Sequence, residues 1–207
     1  MKDSFIRLNI ALKPPKEIEK KVISLSQEIS KMHKAHFVLD GKNFYPHITV
    51  YSPEIPSSNI DKILYLAKEC SNYLKINLSF KEVNHTKGFI VVYFKHDLGI
   101  MNFHKKILQQ FNPFRENHLS IKQKSQEYRS QLTKKQTANL DKYGYVNCMD
   151  LYKPHLTITR LYDEKLAKDI IKGISWNIDK FIAEKLGVFK MGDHGTCIEL
   201  VKKFNLK

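Results

Sequence analysis

The chain has 207 residues, of which 42% are hydrophobic and 27% are charged. This length suits one large domain or two closely packed small lobes, and no apolar run reaches the ~18 residues that a membrane-spanning helix needs. The excess of 35 Lys and Arg over 21 Asp and Glu gives a formal charge of +14. Such a charge favours polyanionic partners, although a merely Lys-rich surface would produce it as well.

The predicted elements follow from the spacing of apolar residues. Strands alternate apolar and polar positions, and helices repeat apolar residues every three or four positions. The predicted strands are residues 4–12, 45–51, 76–83, 88–95, 153–161, 178–190 and 196–201, and residues 36–39 form a short strand or a loop. The predicted helices are residues 16–32, 60–70, 98–111 and 163–174. This order is typical of an α+β fold with mostly antiparallel sheets and helices on the outside.

Two stretches depart from the regular pattern. The strand from Gly88 to Lys95 is apolar on both faces, so we expect it to be central and covered on both sides. Residues 115–147 are polar and carry few apolar positions. We predict that they form a long surface connection with some helix, because connections of this length in a compact domain are usually functional or disordered.

The cysteines and the N-terminus bear on location. Cys70, Cys148 and Cys197 are widely spaced and form no CxxC pair, which argues against a disulfide framework and a cysteine-built zinc site and fits a reducing cytoplasm. The run Met1–Arg7 meets charge within two residues of its short apolar patch, so we predict no secretion signal. We expect a cytoplasmic protein that does not bind membranes.

A phrase of the form Pro-His-aliphatic-Thr-aliphatic occurs twice, around His47 and around His155. Side chains two residues apart in a strand point the same way. Thr49 therefore shares a face with the first histidine, and Thr157 shares a face with the second. Each copy presents an imidazole beside a hydroxyl on a rigid element.

Two such units that meet could catalyse displacement at phosphorus. One neutral imidazole can accept a proton from the attacking group while the other, protonated, donates one to the departing oxygen. The two hydroxyls can bind the non-bridging phosphate oxygens. A zinc site on the two histidines would lack a third acidic or cysteine ligand at a suitable spacing, so we expect no metal and no cofactor.

The paired motifs resemble those of the 2H phosphoesterase superfamily, which includes 2′-5′ RNA ligase-like and cyclic phosphodiesterase proteins. The run from Pro154 to Arg160 is similar to the second motif of that superfamily, including its trailing arginine. Tyr45–Tyr51 resembles the first motif. It continues with Ser52-Pro53-Glu54 instead of the Phe-Leu-Gly common in the bacterial RNA-ligase branch, so the subfamily stays open.

The resemblance implies one bilobal domain over residues 1–207, with two pseudo-symmetric sheets around a central cleft. His47 and His155 would face each other across it as catalytic residues, and Thr49 and Thr157 would bind the substrate phosphate. We predict a monomeric, metal-independent phosphodiesterase that acts on RNA ends, oligonucleotides or cyclic nucleotides through 2′,3′-cyclic phosphates or 2′-5′ linkages. The alternatives are degradation of cyclic or 2′-5′ oligonucleotide signals, 2′-5′ RNA ligation, and a non-catalytic RNA-binding module.

Some neighbours of the motifs are further candidates. Candidate substrate contacts are Tyr51, Lys153 and Arg160. Tyr51 continues the His47 face and could stack on a base, whereas a solvated side chain for Lys153 and a structural role for Arg160 are the simpler alternatives. Residues that could line the cleft floor or pack in the core are Phe89, Val91 and Tyr93. The other histidines, including His33, His104 and His194, are predicted to lie on the surface.

Overall fold

A computed structural model describes residues 4–207; Met1–Asp3, which carried part of the N-terminal prediction, lie outside the described residues. The strands are β1 (Phe5–Lys13), β2 (Ala35–Val38), β3 (Ile48–Tyr51), β4 (Glu54–Pro56), β5 (Ile76–Thr86), β6 (Phe89–Phe94), β7 (His155–Leu161), β8 (Lys180–Ala183), β9 (Lys185–Met191) and β10 (Cys197–Asn205). The α-helices are α1 (Lys16–Met32), α2 (Ile60–Glu69), α3 (Leu98–Phe111), α4 (Ile121–Lys124), α5 (Gln126–Ser130), α6 (Lys134–Tyr143) and α7 (Leu166–Ile170).

The strands form two antiparallel five-stranded sheets. The first has the order β10-β9-β1-β3, with β4 also paired to β1. The second has the order β2-β7-β6-β5-β8. Each sheet thus takes strands from both ends of the chain, and the two motif strands β3 and β7 belong to different sheets. The predicted α+β architecture of two mostly antiparallel sheets is confirmed.

The helices cover the apolar sides of the sheets. On α1 the residues Ile18, Val22 and Ile29 are buried at helical spacing, and Pro15 precedes the helix, where a missing N–H costs nothing. On α3 the buried stripe includes Ile100 and Ile107. One continuous apolar core joins both sheets to these helices. Among the described helices, none combines the length and the apolar character needed to cross a bilayer.

Several predicted elements differ in detail. The strand predicted over residues 45–51 begins only at Ile48, so His47 lies directly before β3. The predicted strand 178–190 is two strands, β8 and β9, which separate at Glu184 and enter different sheets. The predicted helix 163–174 is only the short α7 followed by a 3-10 turn, and Leu166, predicted inward, is 37% exposed. The strand β6 is central as predicted, but it is not covered on both sides, because one of its faces lines a cavity.

Residues Arg115–Asn147, here called the wall segment, are more ordered than a polar connection suggests. They contain α4, α5 and α6, and the first and third of these helices begin with capping boxes at Ser120 and Thr133. In a capping box the side chains of the first and fourth residues satisfy backbone N–H groups at the helix start. The helix signal was therefore present in the sequence as Ser-x-x-Gln and Thr-x-x-Gln.

Candidate active site

The two motifs meet at one cavity of about 660 Å³ between the sheets. His47 and Thr49 line it from the first sheet, and His155 and Thr157 line it from the second. The aliphatic residues between them, including Ile48, are fully buried in the core. The alternation expected for a strand therefore separates the polar pair from the core in both copies.

Both histidines are held in the same way. The Nδ1 atom of His47 lies 2.8 Å from the carbonyl oxygen of Tyr45, and Nδ1 of His155 lies 2.8 Å from the carbonyl oxygen of Lys153. A carbonyl can only accept, so Nδ1 carries the proton in each ring. In the neutral form Nε2 is then left as a free acceptor, and each imidazole presents an acid–base nitrogen to the cavity.

The environment makes both imidazoles poor proton acceptors. Burial lowers the pKa of His47 to about 4, and the nearby His155 lowers it further, whereas the bond to the Tyr45 carbonyl opposes this shift. Burial also lowers the pKa of His155. In the free protein at neutral pH, both rings are therefore uncharged. A phosphodiester anion bound between them would raise the pKa of both rings.

The first threonine has a partner behind it. Asn9 of β1 is fully buried, and its Nδ2 donates to Oγ1 of Thr49 at 2.8 Å. The oxygen is thereby occupied as an acceptor, so the Thr49 hydroxyl hydrogen is directed elsewhere. Asn9 was not singled out from the sequence, although a polar residue between Leu8 and Ile10 in an apolar strand was a readable signal.

Each motif strand contains a β-bulge directly after its threonine. In β3 the pairs Ala11↔Thr49 and Ile10↔Tyr51 leave Val50 as the extra residue. A bulge inserts one unpaired residue and interrupts the alternation of side chains. Tyr51 therefore turns away from the face that His47 and Thr49 share.

The second motif repeats this bulge. The pairs Val91↔Thr157 and Ile90↔Thr159 leave Ile158 as the extra residue. Thr159 is fully buried, and its hydroxyl donates to the carbonyl of Phe37 at 2.7 Å. The bulges thus remove Tyr51 and Thr159 from the face that each histidine shares with its threonine.

The prediction that Tyr51 contacts the substrate is wrong in this structure. Tyr51 is fully buried, and its hydroxyl donates to the backbone carbonyl of Tyr143 at 2.7 Å and to Oδ1 of Asn112 at 3.1 Å. Its role is to fix the strand to the wall segment. The alternation of side chains along a regular strand predicted the opposite, because it does not include the effect of a bulge.

Lys153 and Arg160 have different positions. The side chain of Lys153 is exposed and lies outside the central cavity, while its backbone carbonyl anchors His155. Arg160 pairs across the strand with Phe89, on the cavity face, because the bulge restores its direction. Its guanidinium lies 4.8 Å from the Phe89 ring and 3.0 Å from Nδ1 of His194. Arg160 therefore contacts two residues that line the cavity, Phe89 and His194.

Other predictions for the surroundings are resolved. The three residues on one face of β6 line the cavity, namely Phe89, Val91 and Tyr93. His194 is exposed at the rim, as predicted. The surface position predicted for His104 is wrong, since this side chain is fully buried.

His104 connects the two motifs. Its Nδ1 donates to the carbonyl of Val50 at 2.6 Å, and its Nε2 accepts from the backbone N–H of Met149 at 2.9 Å. Its ring stacks on Tyr152 at 3.9 Å, and the Tyr152 hydroxyl donates to the carbonyl of Thr49 at 2.8 Å. The strand after the first histidine is thus tied to the chain just before the second.

The wall segment closes one side of the cavity. It contributes Tyr128 and Tyr145 among its lining residues, together with Lys122. None of these residues was singled out from the sequence, because nothing in a polar connection indicates which of its residues face inward. Within residues 4–207, no three side chains of His, Cys, Asp or Glu gather into a set that could hold a metal ion.

Comparison with known proteins places the chain in a family. The family described as "Protein of unknown function (DUF1045)" matches residues 56–192, well over half of the chain. The chain belongs to the DUF1045 family. The matched region includes the second motif but begins after the first one. A search of the curated proteins finds no match.

Solved structures share the fold of this DUF1045 protein. E. coli LigT in its apo form aligns over 99% of both chains with a TM-score of 0.56 and 12% identity. The Thermus thermophilus protein TT0787 aligns over 97% of this chain and 98% of its own, with a TM-score of 0.57 and 12% identity. A protein described as a phosphoesterase aligns over 99% of both chains, with a TM-score of 0.51 and 12% identity.

At this identity the alignments show a common fold. The paired motifs resemble those of the 2H phosphoesterase superfamily, and the shared fold agrees with the two antiparallel sheets that this resemblance implies. LigT itself has been crystallised with phosphate and with 3′-AMP.

Proposed function

We propose that this protein is a metal-independent phosphodiesterase that acts on RNA-type phosphodiesters, either 2′,3′-cyclic phosphates or 2′-5′ linkages. The observation that carries the proposal is the matched anchoring of His47 and His155. Each ring donates Nδ1–H to the carbonyl two residues earlier and lines the same cavity. A pure binding module has no need for two imidazoles that are oriented so alike.

The geometry supports the following reaction on a 2′,3′-cyclic phosphate. Nε2 of one histidine takes a proton from water as the water oxygen bonds to phosphorus. The bond from phosphorus to one ribose oxygen breaks, and Nε2–H of the other histidine protonates that oxygen. The product is a phosphomonoester. If a ribose hydroxyl replaces the water, the same proton transfers join two RNA ends, so ligation needs only a different nucleophile.

Thr49 and Thr157 would hold the phosphate during this step. Their hydroxyls lie on the same faces as the two imidazoles and line the cavity, where they can donate to the non-bridging oxygens. The phosphodiester anion would also change the protonation of the two imidazoles. Its negative charge favours the protonated state of one ring, although burial lowers the pKa of both.

The related fold of LigT, crystallised with phosphate and 3′-AMP, supports a site for phosphate and nucleotide in this chain. The formal charge of +14 is also suited to an anionic substrate. Among the 2H-type reactions, hydrolysis or opening of a cyclic phosphate is the one we propose, because water has free access to an open cavity.

The test is turnover by His47→Ala and His155→Ala variants on a panel of 2′,3′-cyclic nucleotides, ADP-ribose 1″,2″-cyclic phosphate, 2′-5′ and 3′-5′ oligonucleotides and cyclic dinucleotides. We expect each variant to lose about 10²–10⁴-fold in kcat on the preferred substrate, with an unchanged circular dichroism spectrum. The matched control is His96→Ala, an exposed histidine outside the cavity.

Unchanged activity in either cavity variant would contradict the mechanism. Activity of the wild type that EDTA abolishes would point to a metal instead. RNA binding without turnover of any substrate in the panel would favour the binding module.

A further inference from the structure

Hydrogen bonds of a buried arginine hold the wall segment in place, although most residues of the segment are polar. The side chain of Arg115 at its start is only 1% exposed. Its guanidinium donates to four oxygens, which are Oδ1 of Asn112 and the backbone carbonyls of His118, Asp141 and Lys142. One buried side chain therefore joins the beginning of the segment to the end of α6.

Further bonds fix the parts of the segment that face the cavity. Nε2 of Gln123 donates to the carbonyl of Gly144 at 3.0 Å, and Arg129 forms an ion pair with Asp141 at 2.7 Å. Gly144 ends α6 with a φ of 66°, a conformation that glycine adopts at little cost. The chain thus turns directly from α6 into Tyr145, which reaches the cavity.

Two tyrosines of this wall have hydroxyls that the protein leaves free. Tyr128 and Tyr145 are half-buried and line the cavity, and neither hydroxyl has a hydrogen-bond partner within residues 4–207. Burial raises the pKa of both phenols, and the neighbouring Cys148 thiol and Tyr128 phenol raise that of Tyr145 further. Both groups are therefore neutral O–H donors at physiological pH.

The size of the cavity exceeds what a phosphate group needs. At about 660 Å³ it falls within the range of pockets that enclose a nucleotide-sized ligand. The histidines and threonines line it from the two motifs, and the two tyrosines line it from the wall segment. Flat aromatic rings with free O–H donors suit a nucleobase, which stacks on such rings and offers acceptor atoms at its edge.

We propose that Tyr128 and Tyr145 bind the nucleoside of the substrate, so that the wall segment sets a preference for nucleotides over cyclic phosphates that lack a base. This inference rests on the proposed function. It assigns the catalytic step to the motif strands and the recognition of the base to a segment that contains neither motif.

The experiment compares two substrates of the same reaction, 2′,3′-cyclic AMP and glycerol 1,2-cyclic phosphate, which has the five-membered ring but no base. For Tyr128→Ala we expect kcat/KM on cyclic AMP to fall about 10- to 100-fold, mainly through KM. On the glycerol compound we expect a change of less than about threefold. Tyr145→Phe removes only the hydroxyl, and we expect a smaller loss that is again confined to cyclic AMP. The control is Tyr65→Ala, a tyrosine on α2 that is 64% exposed.

An equal loss on both substrates, or no loss on either, would overturn the inference. Tyr128→Leu keeps an apolar side chain at this position and replaces the Ala variant if that one fails to fold. If the wild type turns over neither compound, the proposed function fails on these substrates, and titration calorimetry decides the inference separately. In that case 3′-AMP must bind Tyr128→Ala more weakly than wild type, while inorganic phosphate binds both equally; any other result overturns the inference.

Discussion

The motif strands β3 and β7 present the same pair of side chains, but their surroundings differ. Both histidines donate Nδ1–H to the carbonyl two residues before them, and both strands contain a bulge directly after the threonine. The support behind the threonines is unequal, because Asn9 donates to Thr49 and no hydrogen bond holds the Thr157 hydroxyl within residues 4–207. The pair of histidine and threonine side chains is repeated, whereas the hydrogen bonds that position the threonines differ between the two motifs.

The chain that leads into each motif differs even more. A short loop precedes the first motif, where the carboxylate of Asp40 accepts from three backbone N–H groups, those of Lys42, Asn43 and Phe44. The long wall segment precedes the second motif and closes one side of the cavity. Under the proposed function, the two motifs would supply the same catalytic groups, and the wall segment, which has no counterpart before the first motif, would determine what fits beside them.

The largest effect short of losing a histidine is expected from the threonines. If both hydroxyls bind the phosphate, Thr49→Ala and Thr157→Ala should each lower kcat/KM on a 2′,3′-cyclic nucleotide by about 10²–10³-fold, while the Ser variants stay within about tenfold of wild type. Steady-state kinetics would measure this. The control is Thr86→Ala, at the cavity rim but outside both motifs. An Ala variant of either motif threonine within threefold of wild type would show that only the other hydroxyl matters.

His104, which connects the two motifs, should make the free energy of unfolding depend on pH. His104 is fully buried, and burial lowers its pKa from 6.5 to about 4. Below pH 6.5 the imidazole of His104 therefore binds a proton in the unfolded chain, whereas in the folded protein it binds one only as the pH approaches 4. The stability that this adds is fully present above pH 6.5 and is lost as the pH falls towards 4, by about 3 kcal/mol in total.

Urea unfolding of wild type and of His104→Gln across this pH range would measure the effect. We expect the His104→Gln variant to be less stable than wild type at every pH. Because glutamine cannot titrate, the free energy of unfolding of this variant should fall less steeply between pH 6.5 and 4. His47 adds the same kind of slope to both proteins and cancels in the comparison. Parallel curves of the free energy of unfolding against pH would contradict a lowered pKa of His104 in the folded protein.

The smallest effect tests the asymmetry of the threonines. Asn9→Leu keeps the size of the side chain but removes the donor to Thr49, and we expect kcat to fall about tenfold with little change in KM, as for the loss of one neutral hydrogen bond. In a Thr49→Ala background the same change should have no further effect, whereas in a Thr157→Ala background it should keep its full effect. Equal losses in the two backgrounds would assign Asn9 a general packing role.

Local sequence patterns were sufficient for much of this architecture. The bounds of α1 and α3 matched the prediction, because each helix shows an apolar stripe at helical spacing. The prediction failed for the strand 178–190, which divides at Glu184. An apolar pattern of period two does not reveal where a chain leaves one sheet and enters another.

The sequence by itself determined the paired units, since the placement of His47 beside Thr49 and of His155 beside Thr157 needs only the geometry of one strand. Only the tertiary structure decided what surrounds them. The bulges, which arise where β3 meets β1 and where β7 meets β6, turned Tyr51 into the core and Arg160 towards Phe89. Burial of His104 and the inward position of Tyr128 likewise depend on contacts between residues far apart in the chain, which no local pattern records.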